Sequence, residues 1–441
     1  MQQPLVVLEG LGLRYPHASA RHHRFILDGM ADTARQLADR HVTMLSHVAR
    51  HPGSGQGLLH TLGEHASAVV SDLTSIPLLR RLAAQAARLP CRVDLVDSVG
   101  LHPFSASDRH FPTAHAFRRH LHRTLPALLA GAPHPDPTQT IHRGAEPDLP
   151  DLSRWQFETP ETLVALGRAL ADLPIDHSVP PVDEPGGEVA AQARWRTFLV
   201  DGLPGYADGR NHPDADTASG LSPYLHHGHI STHQMLADIG EAYGWDPGVL
   251  EPGGRGSRTG WWGLPAGPEA YLDQVVTWRE LGQLFSWHVP DAHEWETLPD
   301  WARKTLDVHA TDPRPETYDR ATLEAGETRD RIWNAAQRQL VETGRMHNYL
   351  RMLWGKKVLQ WSASPQEAFQ TLLYLNDKYA LDGRDPNSIA GVGWVFGRFD
   401  RAWGPERPVF GKTRYMTSAS TERKLRLKDY LARWAPEAPA P

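Results

Sequence analysis

The sequence predicts an N-terminal α/β domain built on a parallel sheet, followed by a larger all-helical domain. Short apolar runs alternate with amphipathic stretches over residues 1 to 125, a proline-rich and acidic connector occupies 126 to 190, and residues 191 to 441 read as helix broken by loops. No internal repeat is present in the sequence.

In chain order, PLVVLEGL (4 to 11) is a short apolar run of strand length, and HHRFILDGMADTARQLADR (22 to 40) places its apolar residues at helical spacing. HVTMLSHV (41 to 48) is a second strand. A helix near GLLHTLGEHA (57 to 66), the strand AVVSDL (68 to 73), a helix across IPLLRRLAAQAARL (76 to 89) and the strand CRVDLVD (91 to 97) complete the series. Strands alternating with helices imply parallel pairing, because each crossover helix returns the chain to the same end of the sheet. No glycine-rich phosphate loop follows any of these strands, so a standard dinucleotide or P-loop site has no support there. The connector is marked by GAPHPDPTQT, AEPDLPDL and VPPVDEPGGE, with a short helix around PETLVALGRALADL. The helical part is interrupted by GGRGSRTGWWGLPAGPEA (253 to 270), which carries no interpretable motif.

Composition bounds the function. At 441 residues, with 22% charged and 40% hydrophobic residues, the chain has the profile of an ordinary globular protein of two or three domains. No apolar run approaches bilayer length and MQQPLVVLEGLG lacks the features of a secretion signal, so a cytoplasmic protein without membrane contact is expected. The single cysteine, Cys91, excludes an internal disulfide framework and a cysteine zinc cluster, and reads as a small buried apolar residue. HHGH (226 to 229) lacks supporting ligand spacing, so no metal is expected. The chain carries a net charge of -6, yet residues 341 to 430 hold 15 Lys or Arg against 9 Asp or Glu. Such a local basic surface is either a set of solvated helix faces or a receiver of phosphate.

GRMHNYLRMLWGKKVLQW (344 to 361) places Trp354 and Trp361 two helical turns apart on one face. Tryptophans at this spacing build a core or relay single electrons.

Four longer segments carry a resemblance: LSPYLHHGHIS (221 to 231), RIWNAAQRQLVETGRMHNYLRMLWGKKVLQW (331 to 361), YLNDKYALDGRDPNSIAGVGW (374 to 394) and DRAWGPERPVFGKTRYM (400 to 416). In this order they resemble the photolyase and cryptochrome superfamily, most closely class II cyclobutane pyrimidine dimer photolyases. The resemblance implies FAD in the helical domain. It places Tyr206, Ser219, Leu221 and Ser222 at the flavin diphosphate, Arg279, Arg351 and Asp382 as charged neighbours, and Asn376 facing flavin N5. It implies a relay running from Trp354 through Trp333 to Trp361 at the surface. Trp278 and Trp394 would cradle a flipped-out pyrimidine dimer, with Met352 lining the same pocket.

The chain departs from the family pattern at three places. Gln274 stands where a glutamate usually contacts the dimer, and it can donate a hydrogen bond but cannot titrate. Asn348 stands where class II enzymes commonly carry glycine. A strand that usually precedes the PLVVLEGL segment at the centre of the sheet is absent, implying a rearranged sheet or a different start, and leaving an antenna chromophore open. The expected function is blue-light repair of pyrimidine dimers in damaged DNA by a monomer. The alternative is a photolyase-like flavoprotein serving light signalling or another redox reaction.

Overall fold

The computed structural model describes residues 4 to 435 except 41, 132, 135, 141 to 145 and 216. His41 of the second strand segment and parts of the proline-rich connector therefore lie outside the described residues. The chain divides into two compact units that interleave in sequence. The first comprises residues up to 103, 131 to 195 and 221 to 238; the second comprises 104 to 130, 196 to 220 and 239 onward.

In the first unit, β1 (Val6–Leu11) pairs in parallel with β2 (Thr43–Val48), Val6 opposite Thr43 and Leu11 opposite Val48. The helix Ala20–Asp39 makes the crossover, its first turn capped by Ser19, whose side chain accepts from the His22 N–H. β3 (Ala68–Asp72) and β4 (Arg92–Val96) form a second parallel pair around the helix Pro77–Ala86. The strands and their parallel sense are those expected, but the sheet is divided into two separate ladders. Alternating strands and helices specify parallel pairs; they do not specify whether one pair bonds to the next. The helix Ala20–Asp39 buries Leu27, Met30 and Ala31 against Val48 and against Leu163, Leu166 and Leu170 of the proline-rich segment. β3 and β4 are less covered, leaving Val70 and Val96 exposed. Cys91 is half-buried, more open than expected.

The second unit is helical. Helices Arg331–Thr343, Asn348–Trp361, Pro365–Tyr379 and Pro386–Val395 pack on one another in sequence order, and Arg279–His288 packs on the last. Their ends are written in the sequence. Asp330, Ser364 and Asp385 accept backbone N–H groups at three N-termini, and proline follows the last two. Gly344, at φ 70°, ends the first helix and turns the chain into the second. Gly355 lets two helices touch: a Cβ there would lie 2.4 Å from a Val395 methyl.

Candidate active site

Trp333 joins Trp354 and Trp361. Its ring lies parallel to Trp354 with centroids 6.4 Å apart and interplanar angle 10°, and edge-on to Trp361 at 5.5 Å. Hydrogen bonds fix the set: Trp333 Nε1 donates to the Trp354 carbonyl at 3.0 Å, and Trp354 Nε1 donates to Gln337 Oε1 at 2.9 Å. All three indoles are buried, with Trp361 only 3% exposed, so the expected outer end does not itself reach the surface. Tyr318, half-buried, meets Trp361 edge-on at 5.2 Å and donates its hydroxyl proton to Glu316. The Lys357 ammonium lies 4.5 Å from the Trp361 centroid and 3.3 Å from Asp330. The ladder is at once core and a continuous path of rings.

Asn376 is 3% exposed, and its amide nitrogen donates to Asp377 Oδ1 at 2.9 Å and Ser388 Oγ at 2.7 Å. An ionised carboxylate only accepts, so Asp377 decides the orientation of the amide. The Asn376 Oδ1 receives no hydrogen bond among the described residues. The side chain is therefore set as an acceptor. Arg351 reaches Asp382 through a single contact, Nη2 to Oδ1 at 3.3 Å, rather than a two-pronged pair. Arg279 is buried, and its backbone N–H donates to the Gln274 carbonyl. Tyr206 meets Tyr271 edge-on at 5.3 Å, and Ser219 hydrogen-bonds Tyr271. Burial raises the pKa of both phenols, which stay neutral. Leu221 and Ser222 open the short helix Ser222–His226 and belong to the first unit.

Gln274 and Trp278 lie in a π-helical turn, Asp273–Trp278, a feature with no signature in side-chain spacing. Across residues 271 to 286 only these two side chains are not fully buried, so the turn presents them together on one open face. The turn is anchored by Asp273, which takes Arg118 Nε at 2.8 Å and Nη2 at 3.3 Å. Trp394 is half-buried near the end of the helix Pro386–Val395, which packs on Arg279–His288 so closely that a Cβ on Gly282 would lie 3.0 Å from Asn387 Cα. Met352 is half-buried and Asn348 is exposed at the first turn of its helix.

Several contributors escape sequence reasoning. Arg414 places its guanidinium 5.3 Å from the Trp394 centroid and 4.2 Å from that of Trp403, and bonds Asp400 at 3.2 Å. Arg401, Arg407 and Lys412 are exposed on the same segment, an aromatic and basic surface suited to phosphates. The DRAWGPERPVFGKTRYM motif held this signal as interleaved aromatic and basic residues. The uninterpreted glycine-rich loop braces the helix Ala114–Leu128: Trp261 stacks on His122 at 4.1 Å, and Arg118 donates to the Gly256 carbonyl at 3.3 Å. Burial, then Arg118, lowers the His122 pKa to about 4, keeping that ring neutral. Among the described residues, no group of three or more His, Cys, Asp or Glu could hold a metal, and no helix is long and apolar enough to cross a membrane.

Parallel strands in one unit and helices in the other match the fold of solved photolyases. A class III photolyase from Agrobacterium tumefaciens superposes with TM-score 0.65 at 19% identity, covering 98% of this chain and 81% of that one. An archaeal photolyase from Sulfolobus tokodaii superposes with TM-score 0.63 at 14% identity, covering 99% of this chain and 84% of that one. No protein-family model matches the chain. The chain is 33% identical over 439 residues to the deoxyribodipyrimidine photo-lyase of Methanothermobacter thermautotrophicus, covering 98% of this chain and 88% of that one. It is also 33% identical over 448 residues to the enzyme of that name from Oryza sativa, covering 97% of this chain and 81% of the other. It belongs to the deoxyribodipyrimidine photo-lyase family.

Proposed function

We propose that this protein repairs cyclobutane pyrimidine dimers in DNA under blue light, holding FAD in its second unit. The observation that carries the reading is the buried ladder of parallel and edge-on indoles, Trp354, Trp333 and Trp361, with Trp333 hydrogen-bonded to the Trp354 carbonyl. The residues present fit a reduced flavin. Asn376 offers an oriented acceptor for a protonated ring nitrogen, and Arg279 and Arg351 would supply positive charge. When bound and reduced, the flavin supplies the electron that splits the dimer.

The chain's own residues do the rest. Trp278 and Trp394 would receive the flipped bases by stacking, which contributes roughly 1 to 3 kcal/mol per base. Gln274 would hydrogen-bond a pyrimidine carbonyl without offering a proton. The exposed basic residues of the 400 to 416 segment would hold phosphates, so affinity falls as salt rises. The test is release of FAD on denaturation together with loss of dimers from an irradiated oligonucleotide under blue light. Gln274 favours a second reading, a flavoprotein that no longer repairs DNA. That reading takes over if the protein holds reduced FAD yet neither binds nor repairs dimer-containing DNA.

A further inference from the structure

Lys356 is fully buried, yet among the described residues its charge has no carboxylate partner in contact. Its ammonium donates to the Val395 carbonyl and to Thr413 Oγ1 at 3.2 Å, both neutral oxygens. The nearby Asp400 is already engaged by Arg414 and by the Trp403 indole. Desolvating an ammonium without an ionic partner is costly. An apolar side chain of the same length would fill the space without that cost, but could not hold two oxygens at fixed points.

The two oxygens show what is held. Val395 follows Trp394 at the C-terminal end of its helix, where unpaired carbonyls attract a cation. Thr413 precedes Arg414, which stacks over Trp394, and donates its own hydroxyl proton to the Phe410 carbonyl, leaving an oxygen lone pair for Lys356. Lys356 itself sits 6.0 Å from the Trp394 centroid. A second buried cation acts on the same helix: Arg398 donates to Thr297 Oγ1 at 2.7 Å, packs under Gly393 and lies 4.6 Å from the Phe285 ring of the helix that follows Trp278.

We infer that Lys356 is a positioning residue that fixes the Trp394 wall and the Arg414 segment in the geometry that receives the lesion. The inference rests on the reading of Trp394 as part of the dimer pocket. Burial lowers the Lys356 pKa to about 7, in keeping with an ammonium held by neutral oxygens rather than by a salt bridge.

The test compares the parent, Lys356→Met, Trp394→Ala and the double variant. Each is assayed for FAD content and for affinity to a duplex carrying one thymine dimer relative to the undamaged duplex. Lys356→Met should weaken dimer-specific binding about tenfold, or about 1.4 kcal/mol, with FAD content unchanged. The double variant should bind no worse than Trp394→Ala within threefold, because Lys356 acts through that ring. Thr413→Val, which removes one of the two bonds made by Lys356 at nearly constant volume, should weaken binding about threefold and likewise do nothing further beside Trp394→Ala. It decides the matter if Lys356→Met does not fold. The inference is overturned if these variants bind like the parent, lose FAD in step with binding, or weaken binding equally with and without the indole. If Trp394→Ala alone leaves dimer binding intact, the pocket reading fails and this role for Lys356 falls with it. A loss confined to the variants of Lys356 and Thr413 in the presence of Trp394 supports the inference.

Discussion

Replacing Arg118 by methionine should destabilise the second unit by about 3 to 5 kcal/mol, the cost of leaving one member of a buried ion pair unpartnered. The pair is well made: Nε and Nη2 each reach one oxygen of Asp273, and the two side chains are only 6% and 9% exposed. Methionine keeps most of the volume and removes all the positive charge, together with the bond to the Gly256 carbonyl, so most of the loss is electrostatic. Thirteen of the fifteen tryptophans lie in the second unit, which makes indole fluorescence a selective probe of its urea unfolding. With a slope of about 3 kcal/mol per M, the midpoint should fall by about 1 to 1.7 M. Adding Asp273→Leu should restore the midpoint to within about 0.5 M, because removing both charges removes the stranded one. Since Asp273 begins the π-helical turn, the single variant should also lose dimer binding through Gln274 and Trp278. A midpoint shift below about 0.3 M, or a double variant as weak as the single one, would refute the account of the turn as held by a buried charge pair.

Trp333→Phe should slow photoreduction of the flavin at least about tenfold, roughly 1.4 kcal/mol in barrier terms, and an unchanged absorbance time course under blue light would return the ladder to a purely structural role. Asn376→Leu removes the oriented acceptor and should hasten air oxidation of the reduced flavin about tenfold, the effect of one lost hydrogen bond of about 1.4 kcal/mol, followed by flavin absorbance in the dark. Gln274→Glu should raise the yield of dimer repair while leaving the flavin spectrum unchanged, measured on irradiated oligonucleotide. Lys356 has a folded pKa of about 7 against the ordinary 10.5, so its burial costs stability in full below pH 7 and is relieved as pH rises toward 10.5. The urea midpoint difference between Lys356→Met and the parent should therefore shift in the parent's favour from pH 6.5 to 9.5, and a pH-independent difference would count against it.

The strands and helices of the first unit were legible because each is a local pattern: β1 and β2 are apolar runs, and the helix Ala20–Asp39 between them has a clear apolar face. The division into two ladders was not legible, since it depends on which edges meet. The tryptophan ladder was readable as far as Trp354 and Trp361 sharing a face, while the insertion of Trp333 between them is a tertiary contact. The π-helical turn under Gln274 and Trp278 leaves no trace in residue types, because a shift of hydrogen bonding to i→i+5 changes the backbone before it changes the pattern. Nothing in WGKK distinguishes Lys356 from Lys357; its burial is decided by Val395 and Thr413, distant in sequence.

The interleaving of the two units constrains the order in which the nascent chain can settle. The first unit closes only when residues 221 to 238 arrive, where Asp238 accepts from the Trp195 indole at 2.6 Å and Gln234 pairs with Gln192. At about 5 to 20 residues per second, the ribosome needs roughly 12 to 48 s to reach that point. All four strands, the last ending at Val96, are synthesised well before the segment that closes their unit. Arg118 must wait longer still, for an aspartate 155 residues downstream. A truncated product ending before residue 221 would thus carry all four strands without the segment that closes their unit, and should be captured by chaperones or degraded rather than accumulate as a folded fragment.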